Sequence, residues 1–285
     1  VTSLIRDAVK IPIIAVGRID PDRADNYISQ GKFNFLAMGR KLLADPDLPK
    51  KLMKNEPKTI KPCHYSYECV SRIFLNGQRV CASDVGLGKK EKEHSIKNLA
   101  IIGAGPAGLE LAVQAANRKI HVSLYEKQSF IGGNLIGAAI IYEPYEKLLN
   151  YYQESIKNDF IDVHFNKEID LDDLHDKFFD NQMLVLASGA LPGPSRVNAT
   201  NIQAWLNPFI HENKGNVKLI KSSIKEKEIG DCAIIGTDTI QLHLASFLTS
   251  LGINVSLVKN TDDIGGSMPV VLRWKVLDLS LIHIS

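Results

Sequence analysis

The segment Ile101-Ile102-Gly103-Ala104-Gly105-Pro106-Ala107-Gly108 restricts the fold of this chain more than any other feature. A β-rich lead-in, Leu99 to Ile102, precedes it, and Leu109, Ala112, Val113 and Ala116 follow at the spacing of one helical face. The next apolar run, Ile120 to Tyr125, ends in Glu126, 23 positions after Gly103. Strand, glycine-rich turn, helix, strand and acid in that order predict a βαβ unit of Rossmann type with a dinucleotide site. Gly103 permits the tight turn, Gly105 lets a pyrophosphate approach the backbone, and Gly108 lets helix and strand close on each other. The helix N-terminus at Ala107 and Gly108 offers free N–H groups to the phosphates, and Glu126 can take the ribose hydroxyls.

The design occurs twice. Ile234 to Gly266 aligns without gaps onto Ile101 to Gly133 at a constant offset of 133, so that IIG meets IIG, Val255-Ser256-Leu257 meets Val122-Ser123-Leu124, and IGG meets IGG. A second βαβ unit is the economical reading. Its fingerprint is worn: Gly105 corresponds to Asp238, Gly108 to Gln241 and Glu126 to Lys259. Asp238 brings a negative charge to the place of the pyrophosphate, Gln241 adds bulk where helix and strand meet, and Lys259 removes the ribose acceptor. The second copy is expected to be a structural relic rather than a working nicotinamide site.

Two strand-turn-helix units fill residues 1–60. Ile11 to Ile19, with its strand from Ile11 to Val16, and Phe33 to Arg40 are the strand-turn units; helical stretches run from Pro21 to Gln30, stopped by Gly31, and from about Asp47 to Lys54. Alternating apolar strands and short helices predict a helix-covered parallel sheet. Each strand ends in Gly-Arg, Gly17-Arg18 and Gly39-Arg40. Glycine there lets N–H groups approach an anion and arginine grips two phosphate oxygens, as in the loops after strands seven and eight of a (β/α)8 barrel.

Three of the four cysteines, Cys63, Cys69 and Cys81, lie close together behind Pro62; the fourth, Cys232, sits in an apolar strand and reads as core. In a cytosolic redox protein such clustering favours metal over disulfides. An iron–sulfur cluster normally takes four thiolates. Three readings stay open: a three-cysteine cluster completed by Ser66 or His64 or lacking one iron, a lost cluster with ordinary buried thiols, and a zinc site using His64.

AVGRI, then FLAMGRKLLADPDLPKKL, then the cysteines, then IIGAGPAGLE resembles the iron–sulfur branch of the old yellow enzyme family, which includes 2,4-dienoyl-CoA reductases, trimethylamine dehydrogenase and NADH:flavin oxidoreductases. The resemblance covers residues 5–190 well and the rest more loosely. It implies an α/β chain in which the end of an FMN-binding (β/α)8 barrel (1–60) is followed by an iron–sulfur linker (61–95). A Rossmann-like FAD or ADP region (96–192) and an NAD(P)-binding-like domain (193–278) come after it. By that resemblance Gly17, Arg18, Gly39 and Arg40 hold the FMN phosphate, Arg40 foremost. Gly103, Gly105, Ala107, Gly108 and Glu126 hold the adenine dinucleotide, with Gly133 and Asn134 toward its pyrophosphate or flavin side. Cys63, Cys69 and Cys81 are the metal ligands, and the family's further cysteine falls on Ser66. Met183 to Gly189 reads as a buried strand ending in a small-residue turn, and the resemblance matches its Ser188-Gly189 to the family's Ser-Gly turn. The implied activity is reduction of activated C=C bonds such as enoyl or dienoyl thioesters with NAD(P)H. The alternatives are an amine-dehydrogenase-like flavoprotein with a structural ADP site and a non-catalytic nucleotide-binding relative. Six barrel strands, with the substrate-contacting residues, are not in this chain, so no catalytic residue is assigned.

A net charge of +2 argues against nucleic acid as partner, and no apolar run approaches the roughly 20 residues of a spanning helix. The expected setting is a cytoplasm and the expected partner a small-molecule substrate, with oligomeric state open. Tyr142, Tyr145, Tyr151 and Tyr152 read as packing on an amphipathic helix, and Asp170, Asp172, Asp173 and Asp176 as a solvated acidic face. His211 and His243 stand alone and Trp205 and Trp274 lack motifs. The last seven residues (279–285), LSLIHIS, read as adapter-derived tail.

Overall fold

Main-chain pairing sorts the chain into three parallel sheets, in a computed structural model that describes residues 2–78, 80–84, 86, 95–170, 183–190, 199–259 and 264–281. Asp172, Asp173 and Asp176, and residues 282–285 of the tail, lie outside them.

Helix α1 (Thr2–Ala8) leads to β1 (Ile14–Val16), α2 (Pro21–Ser29), β2 (Phe35–Ala37), α3 (Arg40–Ala44) and α4 (Leu48–Met53). β1 and β2 pair in parallel, with Ile14 opposite Phe35. Proline opens α2, where its missing N–H costs nothing, and Gly31 follows the helix at φ +68°. The second strand is shorter than its apolar run, because α3 already starts at Arg40.

Helix α5 (Glu68–Phe74) carries part of the cysteine segment. After it come β3 (Asn98–Ile102), α6 (Pro106–Asn117), β4 (His121–Tyr125), α7 (Asn134–Ile141), α8 (Glu143–Ser155), β5 (Ile161–His164) and β6 (Met183–Leu186). The sheet order is β5-β4-β3-β6, all neighbours parallel. Central β3 buries Leu99, Ala100 and Ile101, as a strand covered on both faces must. The expected helical face of α6 is also buried: Leu109, Ala112, Val113 and Ala116 all lie in the core. Tyr151 and Tyr152 of α8 are buried with them. Met183 to Leu186 departs from expectation: Met183 is 52% and Leu186 63% exposed. Among the described strands β6 is last in its sheet, so its outer flank has no strand partner.

Helices α9 (Ile202–Glu212) and α10 (Val217–Glu226) close the same core through Leu206, Phe209, Ile210, Ile220 and Ile224. Each begins on an asparagine whose side chain accepts helix N–H bonds, Asn201 from Gln203 and Asn216 from Lys218 and Leu219. The second βαβ unit follows as β7 (Cys232–Ile235), α11 (Thr239–Ser250) and β8 (Val255–Val258), and α12 (Val270–Leu281) comes last. The β7–β8 register, Cys232 opposite Val255, is the β3–β4 register shifted by 133, confirming the repeat read from sequence. Cys232 is half-buried rather than core; among the described strands β7 is flanked by β8 alone.

Candidate functional site

The turn between β3 and α6 has the shape the glycines imply. Gly103 sits at φ +105°, and a Cβ there would lie 2.4 Å from the Ala187 carbonyl oxygen. A Cβ on Gly108 would fall 1.9 Å from the Gly103 carbonyl oxygen, so this glycine is what allows α6 to sit so close to the strand end. Gly105 is different: nothing lies within 4 Å of where its Cβ would be. Opposite it, the Gly132-Gly133 turn is fixed by the Gly132 N–H donating to the Ala104 carbonyl at 2.8 Å, and a Gly133 Cβ would stand 3.2 Å from the Gly105 Cα. Two side-chain-free residues thus face each other across an open notch at a helix N-terminus, the form a diphosphate needs.

Glu126 directly follows β4 and is buried. One carboxylate oxygen accepts the Ala104 N–H at 2.8 Å and the other the Gln128 N–H at 2.9 Å. Each oxygen retains acceptor capacity. Asn134, the first residue of α7, accepts from Gln203 Nε2 at 2.7 Å, so its side chain is held by α9. Ala107 lies exposed on the first turn of α6.

The two Gly-Arg strand ends converge on the cysteine segment. An added Cβ on Gly17 or Gly39 would meet nothing within 4 Å. The Arg18 guanidinium donates to the Tyr67 hydroxyl and stacks 4.2 Å from the Tyr65 ring, and Arg40 lies 4.7 Å over the Tyr67 ring. Burial raises the Tyr67 hydroxyl pKa, but hydrogen bonds from Arg40 and Arg18 outweigh it and hold it below the usual phenol range. Arg40 Nη1 is buried without a partner, which leaves a cationic donor ready for an anionic oxygen. Tyr65 and Tyr67 take left-handed backbone (φ +54° and +60°) to face the arginines. Sequence reasoning missed both tyrosines; two bulky residues in so short a cysteine spacing were the available signal.

All four cysteines are free thiols. Burial raises the Cys63 and Cys69 pKa values; each also feels the neighbouring cysteines, and Arg40 acts against the rise. The thiols therefore share one neighbourhood, but no group of three His, Cys, Asp or Glu side chains among the described residues is arranged to hold a metal ion. Ser66 turns its hydroxyl to the Glu68 N–H. His64 is buried, bonded through Nδ1 to Ser83 and stacked on Tyr145 at 5.1 Å, and burial lowers its pKa to about 4. Three thiols and a serine do not fit the four soft ligands a cluster takes.

A buried ion pair fastens this segment to the nucleotide unit. Lys61 Nζ lies 2.6 Å from both Glu110 oxygens, and Tyr152 donates to the same carboxylate at 2.8 Å. The Lys61 N–H donates to buried Asp45 at 2.8 Å. Glu110 sits one helical turn from the fingerprint, so the strand ends, the cysteines and the notch are held together. No sequence signal marks this pair, because its members lie 49 residues apart.

A parallel sheet with a glycine notch at a helix N-terminus and a carboxylate after the next strand has the form of a Rossmann-type dinucleotide-binding unit. The family model for pyridine nucleotide-disulphide oxidoreductases matches residues 97–273, and the chain belongs to that family. The NADH:flavin oxidoreductase / NADH oxidase family matches residues 1–59, and the two matches in this order bear out the resemblance to the iron–sulfur flavoenzymes related to old yellow enzyme. Cinnamate reductase of Clostridium sporogenes is 27% identical over 270 residues, covering 92% of this chain and 38% of that protein. The structure of a 2-naphthoyl-CoA reductase superposes with a TM-score of 0.80 at 24% identity, over 96% of this chain and 42% of that one. Histamine dehydrogenase from Rhizobium sp. 4-9 superposes at 0.70 and 19% identity, over 91% and 40%. The chain spans about two fifths of the length of these proteins. Among the described residues no helix is long and apolar enough to cross a membrane.

Proposed function

We propose that this chain is the cofactor-holding part of a flavin-dependent oxidoreductase that reduces activated C=C bonds, such as those of enoyl or dienoyl thioesters. The observation that carries the reading is the Gly105–Gly133 notch with Glu126 fixing its floor, which suits the diphosphate and ribose of FAD or ADP. Arg40, with its unpartnered buried nitrogen, and Arg18 would take the phosphate of FMN beside Gly17 and Gly39. Bound flavin supplies hydride transfer; the chain binds and orients it and keeps the cysteine segment docked. The preference for C=C reduction rests on the likeness to cinnamate reductase.

The test is reconstitution of the full-length protein with FMN and FAD, then anaerobic reduction and mixing with cinnamate or an enoyl thioester. Reoxidation of the flavin by these acceptors is expected. A protein that gel-filters folded but colourless refutes the reading. A second reading, an amine-dehydrogenase-like flavoprotein with structural ADP, is favoured by the worn second fingerprint; bleaching of the flavin by a secondary or tertiary amine would select it.

A further inference from the structure

The second βαβ unit repeats the first in its backbone as well as in its sequence. Gly236 has φ +106° where Gly103 has +105°, and Asp238 (φ −82°, ψ 179°) takes the conformation of Gly105 (φ −76°, ψ −178°). Gly236 N–H donates to Val258 at 2.9 Å as Gly103 does to Tyr125 at 2.8 Å, and Gly265 to Thr237 at 2.9 Å as Gly132 to Ala104 at 2.8 Å. The first unit is therefore an internal control for what the substitutions do.

In the second unit the notch is crossed. Asp238 stands where Gly105 does and Ser267 where Asn134 does, and the Ser267 hydroxyl donates to Asp238 Oδ1 at 2.6 Å. A carboxylate occupies the place of the diphosphate and repels it. Gln241, in the place of Gly108, lies against Gly236 with its Oε1 buried and unpartnered. Lys259 has no acceptor to offer where Glu126 accepts the Ala104 N–H. These residues do not fit NAD(P)H.

What the closed unit does instead shows in its contacts. Leu242, Met268, Leu272 and Val276 form a small core against which Tyr67 packs. Trp274 of α12 meets Phe74 of α5 edge-on at 6.1 Å, and buried His243 stacks on Tyr142 at 4.3 Å. The unit thus bears on the cysteine segment and the start of α8.

We infer that an Asp238–Ser267 latch closes the second unit to dinucleotides and that the unit serves as a clamp over the cysteine segment. The nucleotide reading of the first unit enters only as the control. Titration of the full chain with NADH, followed by nicotinamide fluorescence, gives at most one site in the wild type and one more in Asp238→Gly/Gln241→Gly/Lys259→Glu. Two wild-type sites, or a folded triple variant with no added site, overturn the latch. Should the triple variant not fold, moving the latch decides: Gly105→Asp/Asn134→Ser in the first unit is expected to weaken ADP binding by about 100-fold. Binding retained within about threefold overturns the latch. A wild-type chain that binds no ADP refutes the reading of the first unit, and the gain in the triple variant then judges the latch alone. For the clamp, Met268→Ala should speed the reaction of Cys63, Cys69 and Cys81 with a thiol reagent by about tenfold at unchanged ADP affinity. Unchanged thiol rates overturn it.

Discussion

Gly105 and Gly108 are both fingerprint glycines, yet the structure separates their roles, and two alanine variants make the separation measurable. The Gly108 methyl would lie 1.9 Å from the Gly103 carbonyl oxygen and 3.3 Å from Ile101 Cγ2. Since Cβ contacts below about 3 Å do not occur, α6 must move off β3 by about 1 Å, disturbing a core that buries Ile101 and Leu109 completely. Overpacking of this kind costs about 1–3 kcal/mol. At about 2–4 °C per kcal/mol for a domain of this size, Gly108→Ala should melt several degrees below wild type. Gly105→Ala meets nothing within 4 Å and keeps an extended backbone any residue adopts, so its melting temperature should hold or rise slightly. Its methyl enters the notch facing Gly133, so it should lose ADP affinity by about tenfold or more, or at least 1.4 kcal/mol. Thermal melting with and without ADP reads both effects. If Gly105→Ala is the less stable variant, or Gly108→Ala melts with wild type, the assignment of one glycine to packing and the other to ligand is wrong.

Glu110→Gln leaves the Lys61 ammonium buried against a neutral amide and should cost about 3–5 kcal/mol in urea unfolding, whereas an exposed pair such as Lys50–Asp47 should be dispensable. His64 and His243 are held neutral, each with a pKa lowered by burial to about 4 from 6.5. The unfolded chain binds those protons more readily, so stability is full above pH 6.5 and falls as pH drops toward 4, by on the order of 3 kcal/mol per imidazole. A melting temperature flat from pH 7 to 4.5 would contradict this. Iron and acid-labile sulfide should be well below stoichiometric in anaerobically purified wild type and rise in Ser66→Cys; equal loading of the two proteins would show that Ser66 is no defect.

The frame was legible in the sequence wherever the signal was local. The glycines, the i, i+3, i+4 stripe on α6 and the acid at the end of β4 are each fixed within a few residues, and so was the 133-residue repeat. What escaped depends on distant partners. That α9 and α10 close the first core follows from contacts with α7, across a gap of more than 60 residues. Met183 and Leu186 are exposed on β6, last of the described strands in its sheet, and an apolar run reveals neither fact. His243, isolated in sequence, is buried on Tyr142, 101 positions earlier. Tyr65 and Tyr67 become site residues only because Arg18 and Arg40, just past the ends of β1 and β2, reach them across the fold.

Asp238 and Gly105 share one backbone conformation, whereas Gly236 and Gly103 share one that side chains avoid. A duplicated loop released from its cargo can therefore discard the first kind of glycine at no cost to its path, but not the second. Of these two pairs, the one that drifted, Gly105 to Asp238, faces the notch, and the one that stood still, Gly103 to Gly236, holds the turn; the packing glycine Gly108 also drifted, to Gln241, so conserved path and conserved packing are separate constraints.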